Sequence, residues 1–317
     1  RIVRQAEDAG ADGVELNFGC PHGMSERGMG SAIGQVPDYC RDIVGYAKEV
    51  ATKPVFVKLT PNVADIVPPA RAAKAGGADA ISLINTINSV TGVDLDTFAP
   101  RPTVAGLSSH GGYCGPAVKP IALHMVSAIA ADPDAGTVPI SGIGGIATWR
   151  DAAEFILLGA TTVQVCTAVM HWGYRIVEGM IDGLSGYLDS KGMTSVDELR
   201  GRSVDRLQKW ENLDLNYVIK AHVDQEACIG CGLCYIACND GAHQAIGAER
   251  EGDRTRVWIK EAACVGCNLC SLVCPVHNCI TMQQQDTEHK PLSWVEYGVG
   301  KGTLVPRPKH GVTITSE

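Results

Sequence analysis

Two cysteine runs of identical spacing carry the strongest chemical signal in the chain. Cys228, Cys231, Cys234 and Cys238 form the first, Cys264, Cys267, Cys270 and Cys274 the second, and each reads C-x2-C-x2-C-x3-C. Three thiolates set in one tight turn can grip three corners of an iron-sulfur cube, while a fourth, opening the next element, reaches a second cube. A pair of zinc sites or a disulfide framework would be the alternatives. Zinc motifs rarely need four cysteines in eleven residues, and the chain shows no secretory pattern, so the runs read as iron-sulfur ligands. Electrons therefore pass through this protein.

The composition leaves room for a large domain ahead of these runs. The chain has 317 residues, 45% of them apolar and 20% charged, which suits a sizeable buried core. A formal charge of -8 and the absence of basic runs argue against nucleic acid as a partner. No stretch is long and apolar enough for membrane insertion, and no leader is evident. Eight metal-spaced cysteines among thirteen indicate a reducing cytoplasm.

The elements that must position the chemistry alternate between strand and helix signals. Strands are expected at 13–18, 54–59, 79–84, 138–141 and 162–166, and helices at 38–50, 64–75, 116–131 and 149–158. A Gly/Ser-rich loop is expected from 85 to 114. Short, continuous apolar strands are typical of parallel sheets, and repeated strand-helix units mean an α/β fold. An open doubly wound sheet and a (β/α)8 (TIM) barrel both fit that periodicity. The glycines favour the barrel. Pro139-Ile-Ser141 runs into Gly142-Ile-Gly144-Gly145, and the next strand ends Gln164-Val-Cys166-Thr167, a pair that resembles the phosphate site after strands seven and eight of such barrels. On that count strands four to eight are present and the first three are missing. The expected division is a barrel part over 1–194, a helical, charged connector over 195–221, a two-cluster module over 222–285 and a tail over 286–317, either an ordered arm or a frayed end.

Glu15-Leu-Asn17-Phe-Gly-Cys20-Pro-His22-Gly resembles the active-site strand and loop of dihydropyrimidine dehydrogenases, in particular the bacterial pyrimidine-reducing subunit. Lys58-Leu-Thr-Pro-Asn62, Asn85-Thr86, Gly111-Gly-Tyr-Cys-Gly115, Gly144-Gly145 and Val165-Cys166-Thr167 follow in the family's order. The cysteine runs likewise match bacterial-type two-cluster ferredoxins. That match implies one 4Fe-4S cluster on Cys228, Cys231, Cys234 and Cys274, and another on Cys264, Cys267, Cys270 and Cys238. The related dihydroorotate dehydrogenases share the flavin barrel but have Asn where His22 stands, and fused clusters are not typical of them.

The resemblance implies reduction of the 5,6 double bond of uracil or thymine, with hydride from FMN and a proton from Cys20. An ordinary thiol is mostly protonated at pH 7, as a general acid must be. Asn17, Asn85 and Thr86 would hold the pyrimidine, since an amide offers a donor and an acceptor to its edge. Lys58 would face the flavin, and Gly115, Gly144, Gly145, Cys166 and Thr167 would cradle its phosphate. His22 would orient the loop or relay a proton, and Gly19 stands where the animal enzymes carry Ser. Asp12 and Asp79 would serve stability at the bottom of the barrel. The chain shows no G-x-G-x-x-G turn, so an FAD- and NAD(P)H-binding partner subunit in a hetero-oligomer is expected. A dihydroorotate dehydrogenase-type flavoenzyme and a ferredoxin-like electron carrier are the alternatives.

Overall fold

Five strands, Val14–Phe18, Val55–Leu59, Ala80–Leu83, Ile140–Ile143 and Thr162–Gln164, form one parallel sheet. They belong to a computed structural model whose described residues are 1–22, 27–214, 216–241, 243–288 and 290–296. Sheet order follows chain order without reversal, whereas a doubly wound sheet reverses at a switch point. The helices Pro37–Lys48, Val67–Ala75, Lys119–Ala130 and Trp149–Leu157 fall in the four crossovers. This is the winding of a (β/α)8 barrel, here with five parallel strands among the described residues.

Strand alternation sorts the two faces. In Val-Phe-Val-Lys-Leu, the buried Val55, Val57 and Leu59 alternate with the half-buried Phe56 and Lys58. Val57 and Leu59 join a core that includes Cys40 and Val44 from one helix and Ala70 and Ala73 from the next. Each such valine or leucine contributes roughly 1.5–3 kcal/mol. The same layer uses a close approach at Gly142, where a Cβ would come within 2.5 Å of the Phe155 ring. The strand expected at 138–141 accordingly lies two residues later, at Ile140–Ile143, after a 3-10 turn over Ala135–Thr137.

Two expectations are corrected. The segment 85–114 is not a plain loop, because Ile87–Ser89 pairs antiparallel with Gly111–Tyr113, and Gly92–Val93 with Pro100–Arg101. Among its described residues the connector 195–221 contains no α-helix. It holds three 3-10 turns, Val196–Glu198, Val204–Arg206 and Trp210–Asn212, and its end belongs to the strand Ile219–Val223. Gly201 takes a left-handed φ of 74°, and the buried Leu199 packs with Ala153, Ile156 and Leu188, so local turns and anchoring replace helical periodicity.

The chain divides into two compact units, Arg1–Leu207 and the residues from Gln208 onward. In the second, Ile219–Val223 pairs antiparallel with Ile280–Gln284, and Ile246–Glu251 with Arg254–Ile259. Helices Leu233–Asp240 and Leu269–Leu272 start beside Cys234 and Cys270. The unit repeats itself: Gly230 and Gly266 have φ 70° and 72°, and the helix caps Gly232 and Asn268 have φ 75° and 67°. These left-handed residues turn each cysteine run back on itself. Of the tail, residues 297–317 lie outside the described residues, as do 23–26 of the loop after Cys20.

Candidate active site and cluster sites

One side chain from each of the five parallel strands meets in a polar layer inside the barrel unit. Ser82 Oγ donates to Glu15 Oε1 at 2.5 Å, and Lys58 Nζ lies 3.5 Å from Glu15 Oε2 and 3.4 Å from Gln164 Oε1. Gln164 Nε2 donates to Glu15 Oε1 at 3.3 Å and to Ser141 Oγ at 3.0 Å. The first and last strands of a flat five-stranded sheet would lie about 19 Å apart. The Glu15–Gln164 contact therefore requires the sheet to curl, as a barrel wall does. Lys58 stands opposite Asn17 and Ser82 in register, with a side chain only 18% exposed. A lysine ammonium in such a place needs a counter-charge, and Glu15 supplies it. Glu15 and Gln164 have no role assigned by the sequence alone. Their signal is a polar residue inside a short, partly apolar strand, which Asn17 and Thr162 share.

The turn after the first strand is held by one oxygen. Asn17 Oδ1 accepts from the backbone N–H of Gly19 at 3.1 Å and of Cys20 at 3.2 Å, and from Asn85 Nδ2 at 2.9 Å. The thiol of Cys20 lies 3.3 Å from His22 Nδ1. Asn85 Oδ1 in turn accepts from Thr86 N at 2.8 Å, and Asn62 Nδ2 donates to Thr86 O at 3.2 Å. A Cβ at Gly19 would come within 2.3 Å of Asn85 Cβ, so that glycine admits the close approach of Asn85. Asp79, at the opposite end of its strand, accepts from Lys48 Nζ and Val55 N, both at 2.7 Å. Partial burial would raise its carboxyl, but these donors together hold it below the ordinary range.

Lys58, Gly115, Gly144, Gly145, Cys166 and Thr167 line one cleft together with Asn85 and Thr86. Asn17 and Cys20 are not in its lining; Asn17 reaches it through Asn85. Cys166 and Thr167 do not sit in a loop, as expected, but cap and open the helix Thr167–Trp172. A Cβ on Gly145 (φ 74°) would fall 2.7 Å from the Gly115 carbonyl oxygen, and one on Gly144 would fall 2.7 Å from Ala122 Cβ. Gly145 thus packs against the Gly115 backbone and Gly144 against the Ala122 and Ile84 side chains, and both glycines line the cleft. Next to it, Lys119 Nζ reaches Asp151 Oδ1 at 2.6 Å and Glu154 Oε2 at 2.9 Å. Burial would raise the Asp151 carboxyl, but Lys119 and the N–H groups of Ala147 and Thr148 hold it down. The capping box between Thr148 and Asp151 that shapes this loop contributes about 1 kcal/mol.

In the second unit the eight cysteines separate as the crossed pattern requires. Cys228, Cys231, Cys234 and Cys274 line one cavity, joined by Cys279. Cys238, Cys264, Cys267 and Cys270 line another. Among the described residues no three His, Cys, Asp or Glu side chains close on a single-ion position. Thiols spread around a cavity suit a four-iron cube, with ligands at separate corners, better than mononuclear zinc. Burial pushes Cys234 up to about 11, with the neighbouring Cys228 and Cys231 adding to it, and burial also raises Cys270. Those thiols stay protonated until a metal draws the proton off. Cys279 escaped the sequence reading because it lies outside the comb.

Comparison with known proteins identifies both units. A family profile described as "Dihydroorotate dehydrogenase" matches residues 2–188, more than half of the chain. The chain belongs to that family. A second profile, "4Fe-4S dicluster domain", matches residues 221–282. The chain is 47% identical over 249 residues to the NAD-dependent dihydropyrimidine dehydrogenase subunit PreA of Escherichia coli K12, covering 77% of this chain and 59% of the relative. It is 44% identical to the chloroplastic dihydropyrimidine dehydrogenase (NADP(+)) of Arabidopsis thaliana, covering 64% of this chain and 48% of the relative. It is also 44% identical to the catalytic subunit of dihydroorotate dehydrogenase B (NAD(+)) of Pyrococcus abyssi, covering 60% of each. The chain thus spans about half to three fifths of the length of these relatives. The crystal structure of ligand-free dihydroorotate dehydrogenase from Eimeria tenella superposes with a TM-score of 0.51 at 22% identity, over 63% of this chain and 59% of that one, which supports the fold.

Family members are FMN flavoenzymes, and the dicluster domain carries two 4Fe-4S clusters. The residues present fit both groups. The glycine loops leave a cradle that any Cβ at 144 or 145 would disrupt, and the two thiol-ringed cavities match the two cubes in number and donor type.

Proposed function

We propose that this chain is the catalytic and electron-entry part of the pyrimidine-reducing subunit of an NAD-dependent dihydropyrimidine dehydrogenase. It reduces the 5,6 double bond of uracil or thymine, and electrons enter through two 4Fe-4S clusters from a partner subunit that holds FAD and the NAD(P)H site. The observation that carries this reading is a cysteine held by Asn17 beside a flavin-type cleft on the same chain as a dicluster domain. The 47% identity to PreA supports it.

FMN, when bound, supplies the hydride. The chain's own residues do the rest. The glycine loops at 115 and 144–145, with Cys166 and Thr167, would hold the FMN phosphate through backbone N–H groups. Lys58, held by Glu15 and Gln164, lines the cleft and would supply the positive charge that favours a reduced flavin there. Asn17 keeps Nδ2 for the pyrimidine because its oxygen is committed to the turn, and Asn85 and Thr86 complete the ring's polar contacts. Cys20 Sγ gives its proton to the ring carbon next to the one that takes the hydride, with His22 orienting the thiol. A cytoplasmic location fits these groups; among the described residues no helix is long and apolar enough to cross a membrane.

The holoenzyme, purified without oxygen, should show flavin bleaching on titration with dihydrouracil. Bleaching by dihydroorotate alone would overturn this reading in favour of a dihydroorotate dehydrogenase activity.

A further inference from the structure

The two cluster cavities are built alike, and they differ in the number of thiols: four line one and five line the other. In the first half, Asp224 N donates to Cys279 O at 2.8 Å and Cys228 N to Asp224 O at 3.0 Å. In the second half, Lys260 N donates to Ala245 O at 2.7 Å and Cys264 N to Lys260 O at 3.1 Å. Cys279 and Ala245 each precede the isoleucine that begins a strand, Ile280 and Ile246. Each also lines its own cavity. The same structural position is therefore filled by alanine beside one set of four thiols and by cysteine beside the other. Alanine at 245 shows that the fold does not need a sulfur there.

Cys279 is 2% exposed, its sulfur lies 3.7 Å from the Asp224 carbonyl oxygen, and it lines the same cavity as Cys274 and Cys228. Five thiols thus ring a cavity whose cube takes four ligands. Cys274 is the ligand that arrives from the opposite run, and Cys279 follows it by five residues on the same chain segment.

We propose that Cys279 is a reserve ligand of the first cluster, able to bind in place of Cys274 the iron that Cys274 would hold. The exchange is a ligand substitution. The Cys279 thiol loses its proton to solvent, its sulfur forms the Fe–S bond, and no oxidation state changes. The second cluster has no such substitute, because Ala245 occupies the equivalent place. The inference rests on the crossed ligand sets of the dicluster reading, which the second-cluster control below tests separately.

Iron and acid-labile sulfide per chain, with low-temperature EPR of the dithionite-reduced holoenzyme, decide the matter. Wild type and Cys279→Ala should each hold about eight irons. Cys274→Ala should also hold about eight, with a changed EPR signal from one cluster. Cys274→Ala/Cys279→Ala should fall to about four, as should Cys238→Ala, the equivalent change at the second cluster. A fall to about four irons in Cys274→Ala alone would overturn the proposal. Retention of about eight in Cys238→Ala would overturn the ligand sets themselves, and the inference with them. Should Cys274→Ala fail to accumulate, Cys274→Gly, which likewise offers no ligand, carries the same comparison. Iron that survives in Cys274→Gly but not in Cys274→Gly/Cys279→Ala supports the reserve ligand, and iron that survives in both overturns it.

Discussion

The cluster unit and the barrel unit both place reactive groups around a cavity, but they do so from different distances along the chain. Each cysteine run brings three thiols to its cavity within seven residues, positioned by left-handed residues at 230 and 232 or at 266 and 268. In the barrel unit, Glu15, Lys58, Ser82, Ser141 and Gln164 come from five strands spread over most of the unit. They meet only once four strand registers are set. Substitutions in the cluster unit should therefore act on one cluster at a time. Substitutions in the barrel layer should be felt by neighbours that are distant in sequence.

The largest expected effect tests whether the two sites are separable. Cys20→Ala should lower pyrimidine reduction by roughly a hundred- to ten-thousandfold while flavin and iron contents stay at wild-type values. Wild-type turnover in that variant would remove Cys20 from the chemistry. Gly145→Val comes next, because it forces a Cβ against the Gly115 carbonyl at a φ of 74°, at a cost of about 1–3 kcal/mol. FMN released on denaturation should drop about tenfold or more, with iron unchanged; full flavin occupancy would show that the cradle does not need the glycine.

A smaller effect probes the cross-strand layer. Glu15→Gln removes the counter-charge of Lys58 and should make the flavin potential more positive, while turnover changes by no more than about tenfold, or about 1.4 kcal/mol. An unchanged potential would mean that Glu15 has no electrostatic hold on the cleft. The smallest effect concerns Arg71 and Asp132, which join the helix Val67–Ala75 to the turn after Lys119–Ala130 across 61 residues. The Arg71 guanidinium, with the N–H groups of Ala135 and Asp134 adding to it, holds the Asp132 carboxyl down to about 2. Its folded value lies below its unfolded one, so its contribution is present above about pH 4 and is lost as pH falls towards about 2. Because Arg71 is half exposed, Asp132→Asn should cost only about 1 kcal/mol at pH 6, with the difference vanishing near pH 2. Unfolding midpoints measured across that range would reveal any other profile.

How much of this was legible in the sequence follows the same divide. The cysteine runs could be read directly because their geometry is local, and so could the five parallel strands, whose short runs are bounded by Gly, Pro or polar residues. The hairpin of Ile87–Ser89 with Gly111–Tyr113 was hidden because its strands are three residues long and separated by the 21 residues 90–110. The connector misled because Leu199 and the charged residues around it imitate helical spacing while Gly201 breaks it. The polar layer became visible only with the registers, since nothing near Gln164 in sequence points to Glu15. Cys279 was passed over because the comb accounted for its neighbours.

The Asn17 side-chain oxygen has two lone pairs and three donors. That oxygen is oversubscribed, so one of its hydrogen bonds is always poorly served. The two backbone donors are fixed by the turn, whereas the Asn85 amide hangs on rotatable bonds and is the one that can leave at least cost. On the proposed function, a flat ring arriving at the cleft would recruit Asn85 without loosening the segment that holds Cys20, because Gly19 and Cys20 keep their own bonds to Asn17.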